Sequence, residues 1–356
     1  MPLQLENIEA AIPAAMKHFE RMKWTDLAYE LQDYPALRLF VKKHREIVTG
    51  GSGIQEHFKV FKSDIARNVG ILEPQQVSFR DLFRKGDVPY RHNWTAWGWD
   101  LRELSMLQGP PEIVDYASAR RIEALQSLAA LWEVDWWGKP IGSSDDKTPF
   151  GLLYWIVFDD ENPLEGFYGA NPAGFPEGCA HLDADTYKHW RNWQAPYTEF
   201  TRDDLGEKLA KAAYKCRFIA AVPLPEPQKY QGEDYGYYTN FKVYRAGKRM
   251  AEEQNDALGF DLDPVKRPLF HGHPLTPVPY FDEDNETASP IADRDPIIGV
   301  CWHVTKVCFL RGWYMREIGP KDLDAQPAAQ GYHLFCSWQS VVTNRRRNFI
   351  LLKPAA

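Results

Sequence analysis

The stretch GPPEIVDYASARRIEALQSLAALWEVDWWG, residues 109–138, decides the fold. Gly109, Pro110 and Pro111 mark a helix start, because proline in the first turn lacks only an N–H that has no helical partner there. Val114, Ala117, Ile122, Leu125, Leu128, Trp132 and Trp136 then continue one apolar stripe, and Gly138 supplies the stop. At 1.5 Å per residue such a helix spans on the order of 40 Å, longer than an ordinary globular helix.

Upstream, the pattern changes from helical to extended at Gly50, Gly51, Ser52 and Gly53, where a turn belongs. Residues 54–62 suit a strand with a mixed surface, and Val88, Tyr90, His92, Trp94 and Ala96 alternate with period two. Between them, residues 63–86 hold Glu73, Pro74, Gln75 and Gln76 and could not fill a core. Residues 50–100 therefore read as a long two-stranded arm projecting from a body. The first 49 residues read as short amphipathic helices. Ile8, Ile12, Ala15, Phe19 and Met22 form one stripe, and Leu37, Phe40, Val41 and His44 a second after Pro35. Neither stripe is long enough to fold alone, so this segment is expected to lie on its own body or on a neighbour.

Downstream, residues 150–158 read as a buried strand and 166–175 as a loop punctuated by glycine and proline. Thr201 with Asp204 makes a capping box ahead of Leu205, Leu209, Ala212 and Cys216, and a further helix is expected over 239–250. The acidic, turn-rich stretch 282–295 reads as a surface loop. Residues 297–300, 313–318, 332–342 and 349–352 read as strands. The class is α+β.

At 356 residues the chain has room for two domains and a real core. Its 44% hydrophobic and 26% charged composition excludes wholesale disorder. Its 13 Trp, 17 Tyr and 19 Phe are the unusual feature of the composition. Acidic residues number 49 against 42 basic, a net charge of -7, which argues against nucleic-acid binding by blanket positive charge. The longest nearly unbroken apolar run, residues 150–158, is about half what a membrane span needs. The N-terminus shows no secretory pattern, so synthesis in the cytosol is expected. Cys179, Cys216, Cys301, Cys308 and Cys336 are odd in number and lack a C-x-x-C spacing, and read as reduced, mostly buried thiols.

Chemistry is hard to find. His271 and His273 could begin a metal site, but no third ligand has credible spacing and prolines follow at 274, 277 and 279. His181, Asp183 and Asp185 read as turn and cap residues before acid–base groups. The hydrolase, zincin and nucleotide-binding motifs G-x-S-x-G, H-E-x-x-H, Walker A and G-x-G-x-x-G are missing. Trp94, Trp97 and Trp99 suggest a sugar-stacking platform, and a carbohydrate-active hydrolase with paired carboxylates is the alternative function. Strand alternation, however, places Trp94 on one face and Trp97 and Trp99 on the other. Arg345, Arg346 and Arg347 form the one basic cluster near the C-terminus. On a strand Arg345 and Arg347 share a face, open either to solvent or to a partner's carboxylate.

This order of parts resembles the major capsid proteins of tailed bacteriophages with the Hong Kong 97-type fold. Residues 50–104 are similar to that family's E-loop and residues 110–137 to its spine helix. Gly166-Phe167-Tyr168-Gly169-Ala170-Asn171-Pro172, Trp190-Arg191-Asn192, the helix with Leu205 and Leu209, Phe270-His271-Gly272-His273-Pro274, Val278-Pro279 and Asn344-Arg345-Arg346-Arg347 follow the order seen in one branch of these proteins.

The resemblance implies an N-terminal arm (1–49), an E-loop (50–104), a P-domain with the spine helix (105–150 and 305–345) and an A-domain (151–304). It implies a non-enzymatic subunit, with no cofactor or metal, that assembles as pentamers and hexamers into an icosahedral head in the host cytoplasm. That head would enclose double-stranded DNA without sequence-specific binding and without a membrane. An encapsulin-like compartment of the same fold is the second alternative. Several family members carry a charged scaffolding region ahead of the arm, and this sequence begins with the arm, so a separate scaffolding protein joins the portal and decoration proteins as expected partners. Phe58, Arg67, Trp94, Trp97, Arg345 and Arg347 are the candidates for inter-subunit contact.

Overall fold

The computed structural model describes residues 35–36, 45–51, 53–59, 68, 83–102, 110–217, 235–252, 269–270, 272–285, 287–323 and 326–354. The stripes expected in the first 34 residues, residues 37–44, Arg67, the tip of the arm and His271 lie outside them.

The fold is organised by one long strand and one long helix. Strand β12 (Gln326–Val342) has 17 residues, enough to give different partners to its two ends. Its C-terminal end pairs antiparallel with β10 (Thr305–Leu310), its N-terminal part with β11 (Arg316–Leu323), and residues 329–338 with β4 (Arg91–Asp100). β1 (Arg45–Val48) extends the sheet by pairing parallel to β10. Helix α1 (Pro110–Trp137), 28 residues long, packs on β4 through Ala117 and Ala124 against Trp97, Trp99 and Tyr332. Further along the same stripe, Trp132 meets Phe309, and Trp136 lies against Trp302 and Trp338.

The helix ends where the sequence predicts. The Gly138 N–H reaches the Val134 carbonyl, 2.9 Å, and the chain turns at once toward α2 (Leu152–Trp155). A side chain on Gly151 would strike the carbonyls of Asp135, Trp136 and Gly138, so this close approach requires glycine.

A second sheet of six strands runs β5 (Trp193–Pro196), β13 (Phe349–Leu352), β9 (Ile297–Cys301), β6 (Tyr235–Thr239), β8 (His273–Pro277) and β7 (Leu269–Phe270). Helix α3 (Glu207–Cys216) covers it with the expected stripe, Leu205, Leu209, Ala212 and Cys216, against Trp193, Ala195, Phe349 and Leu351. Thr201 caps the helix by accepting the Asp204 N–H, 3.2 Å. The Asp204 carboxylate does not reach back as in a capping box; it accepts the Thr198 and Glu199 N–H groups. Helix α4 (Phe241–Glu252) is likewise capped, with Asn240 accepting the Val243 N–H, 2.9 Å.

Further sequence expectations change, among them that of a helical segment over the first 49 residues, since β1 at 45–48 is a strand of the body sheet. Residues 150–158 are not a strand: α2 lies there, and because all four of its residues are buried no amphipathic period marks it as helical. The strand expected over 313–318 starts at Arg316, after a turn in which Gly312 and Met315 have φ of 81° and 49°. β10 is an additional strand. Residues 91–100, read as part of the arm, belong to the body sheet through ten register pairs with β12.

One buried carboxylate lies on the seam between helix and sheet. Asp135 accepts the Asn93 side-chain N–H, 3.0 Å, and the Asn93 carbonyl oxygen accepts the Trp338 indole N–H. Burial pushes the Asp135 carboxyl from 3.8 up to about 6, partly offset by the Asn93 hydrogen bond. A carboxyl raised in the folded state favours folding while it is protonated, and the contribution is lost as pH rises through 6. Asp135→Asn is therefore expected to stabilise the subunit at pH 8 by up to about 3 kcal/mol and to change little below pH 4. Urea unfolding at the two pH values checks this; equal effects at both would contradict it.

Candidate assembly surface

Strands β2 (Gly53–Lys59) and β3 (Phe83–Pro89) form a separate hairpin, registered from Gly53 opposite Pro89 to Lys59 opposite Phe83. Its root is fixed to the body. Ile54, Phe58 and Val88 are buried, Phe58 meets the Trp190 ring edge-on at 4.7 Å, and Gly86 has no room for a side chain between the Phe58 ring and the Ala180 carbonyl. Toward the far end Phe83 is 53% exposed. The described part of the hairpin is thus held on the body from Ile54 and Val88 up to Phe58 and Arg84, and Phe83 just beyond is open.

The candidate contact residues divide sharply. Trp94 is 56% exposed, on the opposite face of β4 from Trp97 and Trp99, as the alternation requires. Trp97 is buried: it stacks on Tyr332 at 4.5 Å and donates its indole N–H to Glu317, 2.8 Å. With Trp97 and Trp99 under α1, these tryptophans cannot form an open sugar-stacking platform. Phe58 is likewise committed within the chain.

Arg345 and Arg347 need correction. They lie in a 3-10 turn, residues Arg345–Arg347, and not on a strand; Asn344 caps the turn by accepting the Arg346 N–H, 3.1 Å. Both are buried, which fits neither solvated charge nor a salt bridge to a partner. The Arg345 guanidinium donates to the Trp155 carbonyl (2.6 Å), the Ala170 carbonyl (3.0 Å) and the Asn192 side chain (3.1 Å). Burial lowers its pKa. Asn192 in turn binds the Val157 N–H and C=O and occupies the space that a side chain on Gly169 would need. Three motifs far apart in sequence, 166–172, 190–192 and 344–347, thus meet around one guanidinium. Arg346, half-buried, lies over the Phe167 ring at 3.9 Å.

The acidic surface loop also has an interior residue. Asp295 is fully buried and holds Lys353 (2.7 Å), Lys242 (3.1 Å) and Asn240 (2.8 Å). Burial alone would raise its carboxyl, but the hydrogen bonds from Lys353, Asn240 and Lys242 outweigh it and hold the group below the ordinary range.

The polar groups considered for catalysis make local structure. Asp183 accepts from Thr186 and Asn171, Asp185 pairs with Arg191, and His181 pairs with Glu177. His273 packs beside Tyr235 and Tyr237. Among the described residues no group of three or more His, Cys, Asp or Glu is placed to hold a metal ion. All five cysteines are buried free thiols, and no described helix is long and apolar enough to cross a membrane.

If Arg345 works within the subunit, its loss must weaken the isolated chain. Arg345→Ala and Arg345→Lys are expected to cost the soluble subunit roughly 3 kcal/mol, against about 1 kcal/mol for Arg346→Ala. Chemical denaturation of unassembled protein checks this; an unchanged midpoint for Arg345→Ala would return the residue to an interface role.

No known family matches the sequence, and no curated protein does. Solved structures do match. The chain is similar to a chain of the capsid of cyanophage A-1(L), with 13% identity, a TM-score of 0.60 and coverage of 94% of this chain and 96% of that one. It is also similar to the capsid of the native GTA particle, with 13% identity, a TM-score of 0.55 and coverage of 96% and 98%. A third is a chain of Mycobacterium phage Bobi, with 10% identity, a TM-score of 0.50 and coverage of 100% of both. These likenesses cover nearly the whole of each chain, so this chain has the Hong Kong 97-type fold.

Proposed function

We propose that the chain is the major capsid protein of a tailed bacteriophage, a subunit that assembles with its own copies into an icosahedral head around double-stranded DNA. The observation that carries this reading is the end-to-end likeness to capsid subunits of the same length, together with a two-stranded hairpin separate from both large sheets. An isolated two-stranded hairpin is marginal in water, and burial against a neighbouring subunit is a direct way to stabilise it.

In this reading residues 1–44 are the arm, 50–90 the E-loop, the body-sheet strands 45–48 and 91–100 with 105–150 and 305–345 the P-domain, and 151–304 the A-domain that gathers around the five- and six-fold axes. Glu133 supports an arm that begins on the body, since its carboxylate accepts the Ala36 N–H at 3.1 Å as well as the Trp137 indole N–H at 2.6 Å. The net charge of -7 suits a shell that encloses DNA without gripping it. A separate scaffolding protein and portal are the expected partners. No reaction is assigned to the chain, and the polar clusters described above act as caps and turns.

Deleting residues 70–82, within the segment that joins β2 to β3, is the test. The anchored root and the body remain, so the variant is expected to stay soluble and to unfold at the wild-type midpoint while forming no shells in negative-stain electron microscopy. Intact shells from the deletion would contradict the E-loop assignment.

A further inference from the structure

The large sheet has two faces; the described chain covers one of them and, around Ser337 and Gln339, the end of the other, and leaves the rest of that second face open. Helix α1 lies on the face that carries Trp97, Trp99 and Tyr332. The other face presents the alternate residues, His92 and Trp94 on β4, and His333 and Phe335 on β12, joined by Trp313 and Arg316 from the approach to β11.

These side chains form one row. Trp94 stacks on His333 at 5.9 Å and donates its indole N–H to the ring nitrogen Nδ1, 3.2 Å. His333 leads to Phe335 at 6.2 Å, Phe335 meets Trp313 edge-on at 6.0 Å, and the Arg316 guanidinium lies over Trp313 at 4.8 Å. The register explains the line: Phe335 is directly opposite Trp94 on one side and Arg316 on the other. Trp94 stays 56% exposed and Trp313 36%. Most tryptophans of this chain are buried, so two open ones joined in a row stand apart. Contiguous exposed aromatic surface marks an interaction site, and Trp with Arg is the composition that dominates binding energy.

Charge narrows the occupant. Arg316 is the cation of the row, its two imidazoles are polar partners, His333 accepting the Trp94 N–H, and among the described residues the row has no carboxylate, since Glu317 turns to the covered face toward Trp97 and Arg121. The chain itself offers the complement. It has a net charge of -7, and at the start of α4 it exposes Phe241, 56% accessible, beside the exposed acids Glu283 and Asp284, while Lys242 at the same edge is engaged by the buried Asp295. An aromatic–cationic row on one copy matches an aromatic–acidic edge on the next.

We propose that the outer face of the sheet, centred on Trp94 and Arg316, receives a second copy of this chain; the proposal rests on the capsid reading and names one surface through which it operates. The test is hydroxyl-radical footprinting read by mass spectrometry on dissociated subunits and on assembled shells. Oxidation of Trp94 and Trp313 is expected to fall about tenfold on assembly, as for residues moved from solvent to a desolvated interface centre. In parallel, Trp94→Ser and Arg316→Glu should leave the unfolding midpoint of the subunit unchanged and cut the yield of shells about tenfold. Shells in which Trp94 is as reactive as in free subunits would overturn the proposal and leave the capsid reading standing. Protection already complete in the dissociated subunit would also overturn it, since the chain would then cover its own face. Failure of the unaltered protein to form shells under any condition would count against the capsid reading and remove this proposal with it.

Discussion

The structure depends on the contact between helix α1 and the sheet built on β12. A 28-residue helix and a 17-residue strand are each too long to be buried by local neighbours, and each supplies what the other lacks. The helix offers a stripe of alanines and tryptophans, and the sheet answers with Trp97, Trp99, Tyr332, Phe309 and Trp338. Alanines at 117 and 124 let the helix approach closely where the facing side chains are largest, and tryptophans on the helix fill the wider end. Asp135 and Glu133 interrupt this apolar seam; Asp135 accepts the Asn93 amide N–H from β4, and Glu133 accepts the Ala36 N–H and the indole N–H of Trp137 on its own helix. The seam therefore fixes position along the helix as well as supplying burial.

The aromatic content takes on a different meaning in this light. Set beside the capsid resemblance, the rings are expected at subunit interfaces. Ten of the 13 tryptophans are buried within the chain, where they form the helix–sheet seam and the packing around α2, as in the Phe150, Tyr154, Trp155 and Phe175 cluster. The interface argument narrows to the few left open, Trp94 and Trp313 above all. A subunit that must project a hairpin and still hold together needs a strong interior, and large rings bury much area per residue.

What was legible in the sequence follows from how local each signal is. The proline start and glycine stop of α1, the Thr201 and Asn240 caps, and the alternation that separates Trp94 from Trp97 depend on neighbours within a turn or a pleat. Helix α2 was illegible because burial on every side leaves no contrast between faces. Arg345 was misread because its spacing from Arg347 has one meaning on a strand and another in a 3-10 turn, and only the distant carbonyls of Trp155 and Ala170 decide between them. The placement of 91–100 in the body needed its partner, β12, some 240 positions away in sequence. The order of motifs carried the fold because it records these distant contacts: 166–172, 190–192 and 344–347 keep their order and meet at one guanidinium.

The central claim is that this chain folds as a shell subunit and associates through copies of itself. Sedimentation velocity of the full-length protein over a wide concentration range, alone and with a candidate scaffolding protein, addresses it most directly. The account predicts discrete species of the size of pentamers or hexamers and a fast-sedimenting boundary of closed particles. A single monomer boundary that persists at high concentration under both conditions would contradict it.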